Sequence, residues 1–469
     1  MHSYGMTVDG QSLPGTGEDM PVVDPATGET IAQCSSANPA QVDLAVEAAK
    51  RAFTSWSAQT DEKRSEACLA IACALESDAE EIARLLTRET GKPLGGLGSR
   101  FEVGGAVAWA RHTASLSLPV EVVNDGKNGQ VELCRKPIGV VGSITPWNWP
   151  LLIAVWHILP AIRTGNTIII KPSPLAPLAT LRLVELANEV LPPGVVNAVT
   201  GGGEAGARLA GHPDIAKVSL TGSSETGRKV AHSAADRLAR VTLELGGNDA
   251  GIVLPGTDFS ELVEALFWGA FINNGQTCGA LKRLYVHADQ VEGLSEALAR
   301  YAEGLVVGSG LDEASQLGPL QNEMQYRRVC DLVERALKDG AKALTGAAPL
   351  DRQGYFYAPT ILVDCRDEMD VVREEQFGPV LPIVSYVEVE DAIVAANASP
   401  FGLGASIWSS DLSRARDLAQ RLEAGTVWIN QHGTIRPDVP FGGIKCSGMG
   451  VMFGELGLRE FTSLQVVMR

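Results

Sequence analysis

An α/β architecture is predicted: a doubly wound parallel sheet, then a second α/β unit, with a small β arm. Three observations carry this. From Ile138 onward short apolar runs alternate with amphipathic helical stretches, the alternation restarts after Gly246-Gly247, and a polar hairpin signal precedes the first alternation. Strands alternating with helices of this kind stack as a parallel sheet covered on both faces.

In chain order, the N-terminal stretch reads as a helical layer. Asn38-Pro39-Ala40-Gln41 offers an N-cap, a proline at the first helical position and a glutamine to close a capping box. Val42, Ala45, Val46, Ala49 and Phe53 then recur at helical spacing. One long amphipathic helix is expected over 64–90, ending near Gly91-Lys92-Pro93. Alternating runs at 120–123 and 130–134, around Asp125-Gly126 and Asn128-Gly129, predict a hairpin. Its polar composition fits an arm reaching outward. Strand and helix pairs follow: 140–144 before a helical run, 167–170 before 177–190, 195–199 before 204–210, and 215–220 before Gly222-Ser223-Ser224-Glu225-Thr226-Gly227. The second unit opens at 251–254, and 463–468 reads as a terminal strand. There is no repeat of fixed period and no low-complexity linker.

A chain of 469 residues with 45% hydrophobic and 20% charged residues has room for two or three domains and a large core. Its net charge of −17 argues against nucleic acid, which requires clustered Lys and Arg. No run of about 18 apolar residues marks a membrane span. The N-terminus lacks a basic-then-apolar signal segment, so a cytoplasmic location is the default expectation. The eight cysteines contain no C-x-x-C pair and the seven histidines no ligand spacing, so no metal is expected.

Several residues are candidates for chemistry. Cys278 lies in Phe271-Ile272-Asn273-Asn274-Gly275-Gln276-Thr277-Cys278-Gly279-Ala280, with glycines on both sides that let a ligand approach the sulfur. No Lys, Arg or His adjoins it, so activation has to come from the fold; a buried inert cysteine reads the same way. Glu244, in Glu244-Leu245-Gly246-Gly247, stands where a strand should end, either as a partly buried general base or as an ordinary salt-bridging carboxylate. Asn148 lies between Trp147 and Trp149: one amide donor between aromatic walls, or an asparagine capping an aromatic turn. The turn 221–227 could receive a pyrophosphate at a helix N-terminus, although it is not G-x-G-x-x-G and such turns are common. Lys171, just past a strand, is placed to meet a ribose or phosphate or simply solvent. A thiol, a carboxylate and a carboxamide together can attack a carbonyl, hold its oxyanion and activate water.

In order and spacing these segments resemble the aldehyde dehydrogenase superfamily, its NAD(P)-dependent hydrolytic branch. The resemblance runs from Val23-Asp24-Pro25-Ala26-Thr27-Gly28 to Pro440-Phe441-Gly442-Gly443-Ile444-Lys445-Cys446-Ser447-Gly448, and Glu374-Glu375-Gln376-Phe377-Gly378-Pro379-Val380 and Gly402-Leu403-Gly404-Ala405 are similar family segments. It implies Cys278 as nucleophile, Asn148 with the Cys278 backbone N–H as oxyanion hole, and Glu244 as the base for hydrolytic water. It implies a cofactor site of Ile144, Trp147, Lys171, Ser173, Gly222, Ser223, Leu245, Glu375 and Phe377, with Lys171 at the adenine-side ribose and Glu375 and Phe377 at the nicotinamide ribose and ring. An aldehyde would be oxidised to its acid through a thiohemiacetal and a thioester. The resemblance further implies a cofactor domain of 1–116 and 137–246, a catalytic domain of 247–444, and an oligomerisation arm of 117–136 and 445–469 that makes homodimers or homotetramers.

The chain also departs from the family pattern. Three positions after the lysine, where many NAD-preferring relatives carry a ribose-binding glutamate, this chain has Pro174; NAD is expected and NADP is possible. The substrate pocket is expected from Trp149, Ile153, Trp156, Ile272, Thr277 and Ile435, favouring an aromatic or medium aliphatic aldehyde. The loop 431–439 lacks the aromatic residue of many relatives. Arg436 there pairs either with a carboxylated substrate, as in a semialdehyde dehydrogenase, or with Asp438. A CoA-acylating dehydrogenase and a cysteine esterase are the rival activities, and a non-catalytic binding protein the rival class. Glu244 argues against CoA acylation, the cofactor-side segments against an esterase, and the presence of all three chemical groups against a non-catalytic role.

Overall fold

A computed structural model describes residues 2–124 and 129–468. Its first sheet has eight strands, in the order Gly448–Met449, Arg240–Glu244, Ile215–Thr221, Val140–Ile144, Thr167–Lys171, Val196–Ala198, Met6–Val8, Gln11–Leu13. The five strands from Arg240–Glu244 to Val196–Ala198 are parallel, and both flanks are antiparallel. Burial on both faces explains their unbroken apolar sequences, such as Ile168-Ile169-Ile170. Chain order runs outward from Val140–Ile144 in both directions, so the switch point lies between that strand and Ile215–Thr221. In open α/β sheets ligands bind outside the strand ends at that point.

The second sheet has seven strands, in the order Lys342–Thr345, Thr360–Cys365, Val380–Tyr386, Leu281–His287, Asp249–Val253, Gly404–Trp408, Thr426–Ile429, all parallel except the first. The expected hairpin is present: Glu121–Asn124 pairs antiparallel with Gln130–Pro137, and the terminal strand Thr462–Met468 completes this third sheet. The turn residues 125–128 lie outside the described residues. Gly448–Met449 adds an edge strand to the first sheet beside Glu244.

Helix Pro39–Ser57 starts with the expected capping box: Asn38 Oδ1 accepts the Gln41 N–H at 2.9 Å, and Gln41 Oε1 accepts the Asn38 N–H at 3.1 Å. The single helix expected over 64–90 is two helices, Asp61–Ser77 and Ala79–Thr90. Asp78 separates them with φ −102° and ψ 12°, and its carboxylate meets Arg182 Nε at 2.6 Å. The Asp78 side chain makes no cap hydrogen bond and is engaged by Arg182, and that ion pair fixes the break. Among the described residues no helix is long and apolar enough to cross a membrane.

Candidate active site

Cys278 follows a strained turn. After helix Val263–Phe271, residues Asn273, Asn274 and Gly275 take φ of 51°, 58° and 72°. Asparagine is among the few side chains that tolerate this left-handed region, at a cost of order ~1–3 kcal/mol each. Gly275 admits no substitute, since a Cβ there would stand 2.1 Å from the Gly378 carbonyl oxygen. Asn274 Nδ2 donates to Gly318 O at 3.0 Å and Lys282 Nζ to Thr277 O at 2.6 Å, fixing the turn. Half-buried Cys278 comes next, just ahead of strand Leu281–His287.

Asn148 is tied to this turn in both directions. Its Nδ2 donates to Gln276 O at 2.9 Å, while Asn273 Nδ2 donates to the Asn148 main-chain oxygen at 2.8 Å. An amide nitrogen has two N–H groups, so one remains for a ligand. Lys92 Nζ also donates to the Asn148 main-chain oxygen, at 2.8 Å. Lys92 is buried, paired with buried Glu102, and stands 4.0 Å from the Trp149 ring centre. Glu102 in turn accepts the N–H groups of Leu151 and Leu152, at 3.0 and 3.1 Å, at the start of helix Pro150–Arg163. Trp149 Nε1 donates to Thr277 Oγ1 at 3.0 Å, a further tie to the cysteine turn.

Glu244 ends its strand as expected, and neither of its buried carboxylate oxygens has a hydrogen-bond partner among the described residues. Burial pushes its carboxyl well above the usual carboxylate range. The glycine pair after it touches the cysteine turn: a Cβ on Gly247 would lie 2.7 Å from Cys278 O. Burial likewise pushes the Cys278 thiol up to about 12; Glu375, Glu244 and Asp249 push the same way, and Lys282 opposes them. Sulfur and carboxyl are thus both held toward their protonated forms.

Of the residues expected to hold a cofactor, four flank the switch point. Ile144 and Trp147 lie at the end of one strand, Gly222 and Ser223 at the end of its neighbour. Ser223 Oγ accepts the Thr226 N–H at 3.2 Å and so caps helix Ser224–Ala235. Leu245 fills the space under that helix, where a Cβ on Gly227 would lie 2.6 Å from Leu245 Cδ1. Lys171 ends its strand buried, donating to Pro172 O at 2.8 Å and Gly201 O at 3.0 Å, and burial pulls its pKa down to about 8. Ser173 Oγ accepts the Leu175 N–H at 3.3 Å. From the second sheet, Glu375 accepts the Gly247 N–H at 3.2 Å, and Phe377 meets Trp147 edge-on with ring centres 5.3 Å apart.

Of the substrate-side residues, Ile435 packs with Cys278 and Phe453 against a cluster of Leu403, Trp428 and Phe441. Trp149 and Ile153 belong to the core of the first sheet, with Trp156 and Ile272 packed at its margin. Arg436 is engaged by Asp438 through two contacts, at 2.9 and 2.6 Å, both residues exposed. Sequence reasoning missed Lys92, Glu102, Asn273, Trp109, Phe441 and Phe453. Trp109 and Phe453 flank Trp156, with ring centres 5.8 and 4.7 Å away. Only the Asn273-Asn274-Gly275 run carried a signal, as residues that favour left-handed turns.

Known proteins resemble this chain along nearly its whole length. Residues 13–467 match the model of the aldehyde dehydrogenase family. A phenylacetaldehyde dehydrogenase of Pseudomonas fluorescens is 40% identical over 94% of this chain and 91% of its own length. A peroxisomal aminoaldehyde dehydrogenase of Pisum sativum is 38% identical over 100% of this chain and 96% of its own. A Bacillus cereus aldehyde dehydrogenase solved as an NAD+ complex superposes with a TM-score of 0.96 at 34% identity, over 99% of this chain and 96% of that one. With the cysteine turn, the paired glycines and the switch-point strands all in one continuous match, the chain belongs to the aldehyde dehydrogenase family.

Proposed function

We propose that Cys278, Asn148 and Glu244 carry out oxidation of an aldehyde to its carboxylic acid with a nicotinamide dinucleotide. The observation that carries this reading is the bonding of the Asn148 segment to the cysteine turn, with the unpartnered Glu244 carboxyl three residues ahead of Gly247, whose main chain packs on that turn. The Cys278 thiol gives up its proton to solvent, and the sulfur adds to the carbonyl carbon while the C=O π pair moves onto oxygen. The remaining Asn148 N–H and the Cys278 backbone N–H hold the developing oxyanion. Glu244, with no competing hydrogen bond, takes a proton from the water that releases the acid from the thioester. The residues at the switch point fit a dinucleotide: first-turn N–H groups of helix Ser224–Ala235 lack intrahelical partners, and a buried lysine and aromatic faces lie nearby. Ile144, Trp147, Lys171, Ser173, Gly222, Ser223, Leu245, Glu375 and Phe377 would hold it, and when bound it supplies the hydride acceptor. NAD is the proposed cofactor, in keeping with the Bacillus cereus NAD+ complex; Pro174 leaves room for NADP.

For the substrate we propose an aromatic or medium aliphatic aldehyde. Aromatic rings lead away from the Cys278 cluster, Phe441 to Phe453 at 6.2 Å, then Trp156 at 4.7 Å and Trp109 at 5.8 Å, and one relative is named for phenylacetaldehyde. Arg436, occupied by Asp438, gives the semialdehyde reading no support. We divide the chain as 1–116 and 137–246 for cofactor, 247–444 for catalysis, and 117–136 with 445–469 for assembly. A homodimer or homotetramer is supported by the apolar residues left open on the third sheet, among them Val122, Leu464, Val466 and Met468. A cytoplasmic location is part of the proposal, to be tested by cell fractionation.

The test is a panel of aromatic, aliphatic and carboxylated aldehydes assayed for NADH and NADPH formation, with Cys278→Ala as control. Reduced cofactor from aromatic aldehydes and none from the variant is expected. Undiminished turnover by Cys278→Ala would remove the nucleophile and with it the mechanism.

A further inference from the structure

Behind the cysteine turn lies a buried string of polar groups that the chemistry above does not use. His432 opens the loop 431–439, and Asp249 opens strand Asp249–Val253; both side chains are 0% exposed, with His432 Nε2 3.6 Å from Asp249 Oδ2. His432 Nδ1 lies 2.9 Å from Ser406 Oγ, and that oxygen accepts the Trp408 Nε1–H at 2.8 Å. An indole nitrogen can only donate, so the Ser406 hydroxyl is free to give its own proton to His432 Nδ1. The imidazole proton then sits on Nε2 and faces Asp249. Neither Asp249 oxygen, nor His432 Nε2, has a hydrogen-bond partner among the described residues; the two side chains face each other at 3.6 Å, close enough for an ion-pair contact and just too far for a hydrogen bond. A carboxylate buried in this way is costly unless a donor faces it.

The string joins two parts of the site. On one side, a Cβ on Gly247 would lie 2.7 Å from Cys278 O and 2.8 Å from Asp249 Oδ1, so the carboxylate and the nucleophile's main chain pack on one glycine. On the other, the His432 ring packs on Trp428 with centres 4.9 Å apart, and Trp428 Nε1 holds Thr434 O at 2.8 Å. Trp428 is also part of the cluster on which Cys278 and Ile435 rest. The loop that carries Ile435 is thus anchored behind the cysteine turn by the His432 imidazole and by the Trp428 bond to Thr434 O.

We infer that His432 and Asp249 are positioning residues: their contact locks the substrate loop 431–439 against the Cys278 turn and sets how the aldehyde is seated over the sulfur. This rests on the reading of Cys278 as nucleophile. Asn and Gln separate the two ends of the imidazole, since an Asn amide reaches the place of Nδ1 and a Gln amide that of Nε2. His432→Gln keeps an N–H toward Asp249, whereas His432→Asn keeps only the Ser406 side.

The experiment compares His432→Asn, His432→Gln, Asp249→Asn and the double variant His432→Asn/Asp249→Asn, with Cys278→Ala alongside. KM and kcat for an aromatic aldehyde, and the rate of Cys278 alkylation by iodoacetamide, are measured on material of unchanged circular dichroism. His432→Asn is expected to raise KM by about tenfold with a smaller change in kcat and a changed alkylation rate, the size of one coupled pair. His432→Gln should restore both, and the double variant should be no worse than the worse single one. Additive losses, or failure of Gln to rescue, would show a merely structural histidine and overturn the inference. So would wild-type KM and alkylation in His432→Asn while Cys278→Ala is inactive. Turnover retained by Cys278→Ala instead refutes the nucleophile reading beneath it.

Discussion

Replacing Asn148 by alanine separates the anchoring of its segment from the chemistry of its side chain. The main-chain oxygen of residue 148 keeps its two donors, Lys92 Nζ and Asn273 Nδ2, both at 2.8 Å. What is lost is the carboxamide and its bond to Gln276 O. That acceptor retains a second donor in Asn273 Nδ2 at 3.3 Å, so no buried carbonyl is orphaned. The stability cost is then that of one neutral hydrogen bond, about 1 kcal/mol. The catalytic cost is larger. Removing one oxyanion donor from a dry site typically costs about 3–4 kcal/mol, or about 10²–10³ in kcat. The assay pairs steady-state formation of reduced cofactor with a thermal melt. The expected result is a kcat lowered by at least about a hundredfold at a nearly unchanged melting midpoint. A kcat within about threefold of the parent, less than ~0.7 kcal/mol of barrier, would refute the oxyanion role. A collapsed melting transition would refute the claim that Lys92 and Asn273 suffice to hold the segment.

Other perturbations follow from the same geometry. A carboxyl whose pKa is raised by folding binds its proton more tightly folded than unfolded, so ionised Glu244 destabilises the protein increasingly as pH rises above about 4.5, its unperturbed value. Glu244→Gln should therefore be more stable than the parent at neutral and alkaline pH, the gain vanishing toward acid; a pH-independent difference in denaturation midpoints would contradict this. The same variant should show a burst of reduced cofactor followed by slow turnover, read by stopped flow, because thioester hydrolysis has lost its base. Lys92→Met leaves buried Glu102 without its cation and with only the Leu151 and Leu152 N–H groups, which should cost ~3–5 kcal/mol in chemical denaturation, and adding Glu102→Gln should recover part of it. Gly275→Ala combines a φ of 72° with a methyl group 2.1 Å from a carbonyl oxygen and should yield little folded protein, as judged by circular dichroism of the purified fraction.

The fold was legible where burial is two-sided. Strands such as Val140–Ile144 and Thr167–Lys171 are nearly pure apolar runs, because helices cover both faces of their sheet. Asn38 to Gln41 declared its helix start through short-range chemistry alone. The break at Asp78 was hidden, since the apolar spacing continues across it and the ion pair with Arg182 is a tertiary fact. Cys278, Asn148 and Glu244 could be named from local context, but what supports them could not. Lys92 stands 56 residues from Asn148, and nothing near Gly91-Lys92-Pro93 distinguishes a buried cation from a solvated one. The His432 and Asp249 contact was hidden for the same reason, Asp249 opening one strand and His432 lying in the loop that follows strand Thr426–Ile429.

Two carboxylates of the N-terminal helical layer cap helices that belong to the first sheet. Glu102 receives the opening N–H groups of Pro150–Arg163, and Glu89 those of Leu178–Val190, at 2.7 and 2.9 Å. Peeling that layer away would leave two helix ends facing a greasy interior with no acceptor to satisfy them. The first hundred residues are therefore no detachable sleeve around a catalytic kernel. A shortened chain that keeps every reacting group yet starts beyond residue 102 should fail to assemble its site.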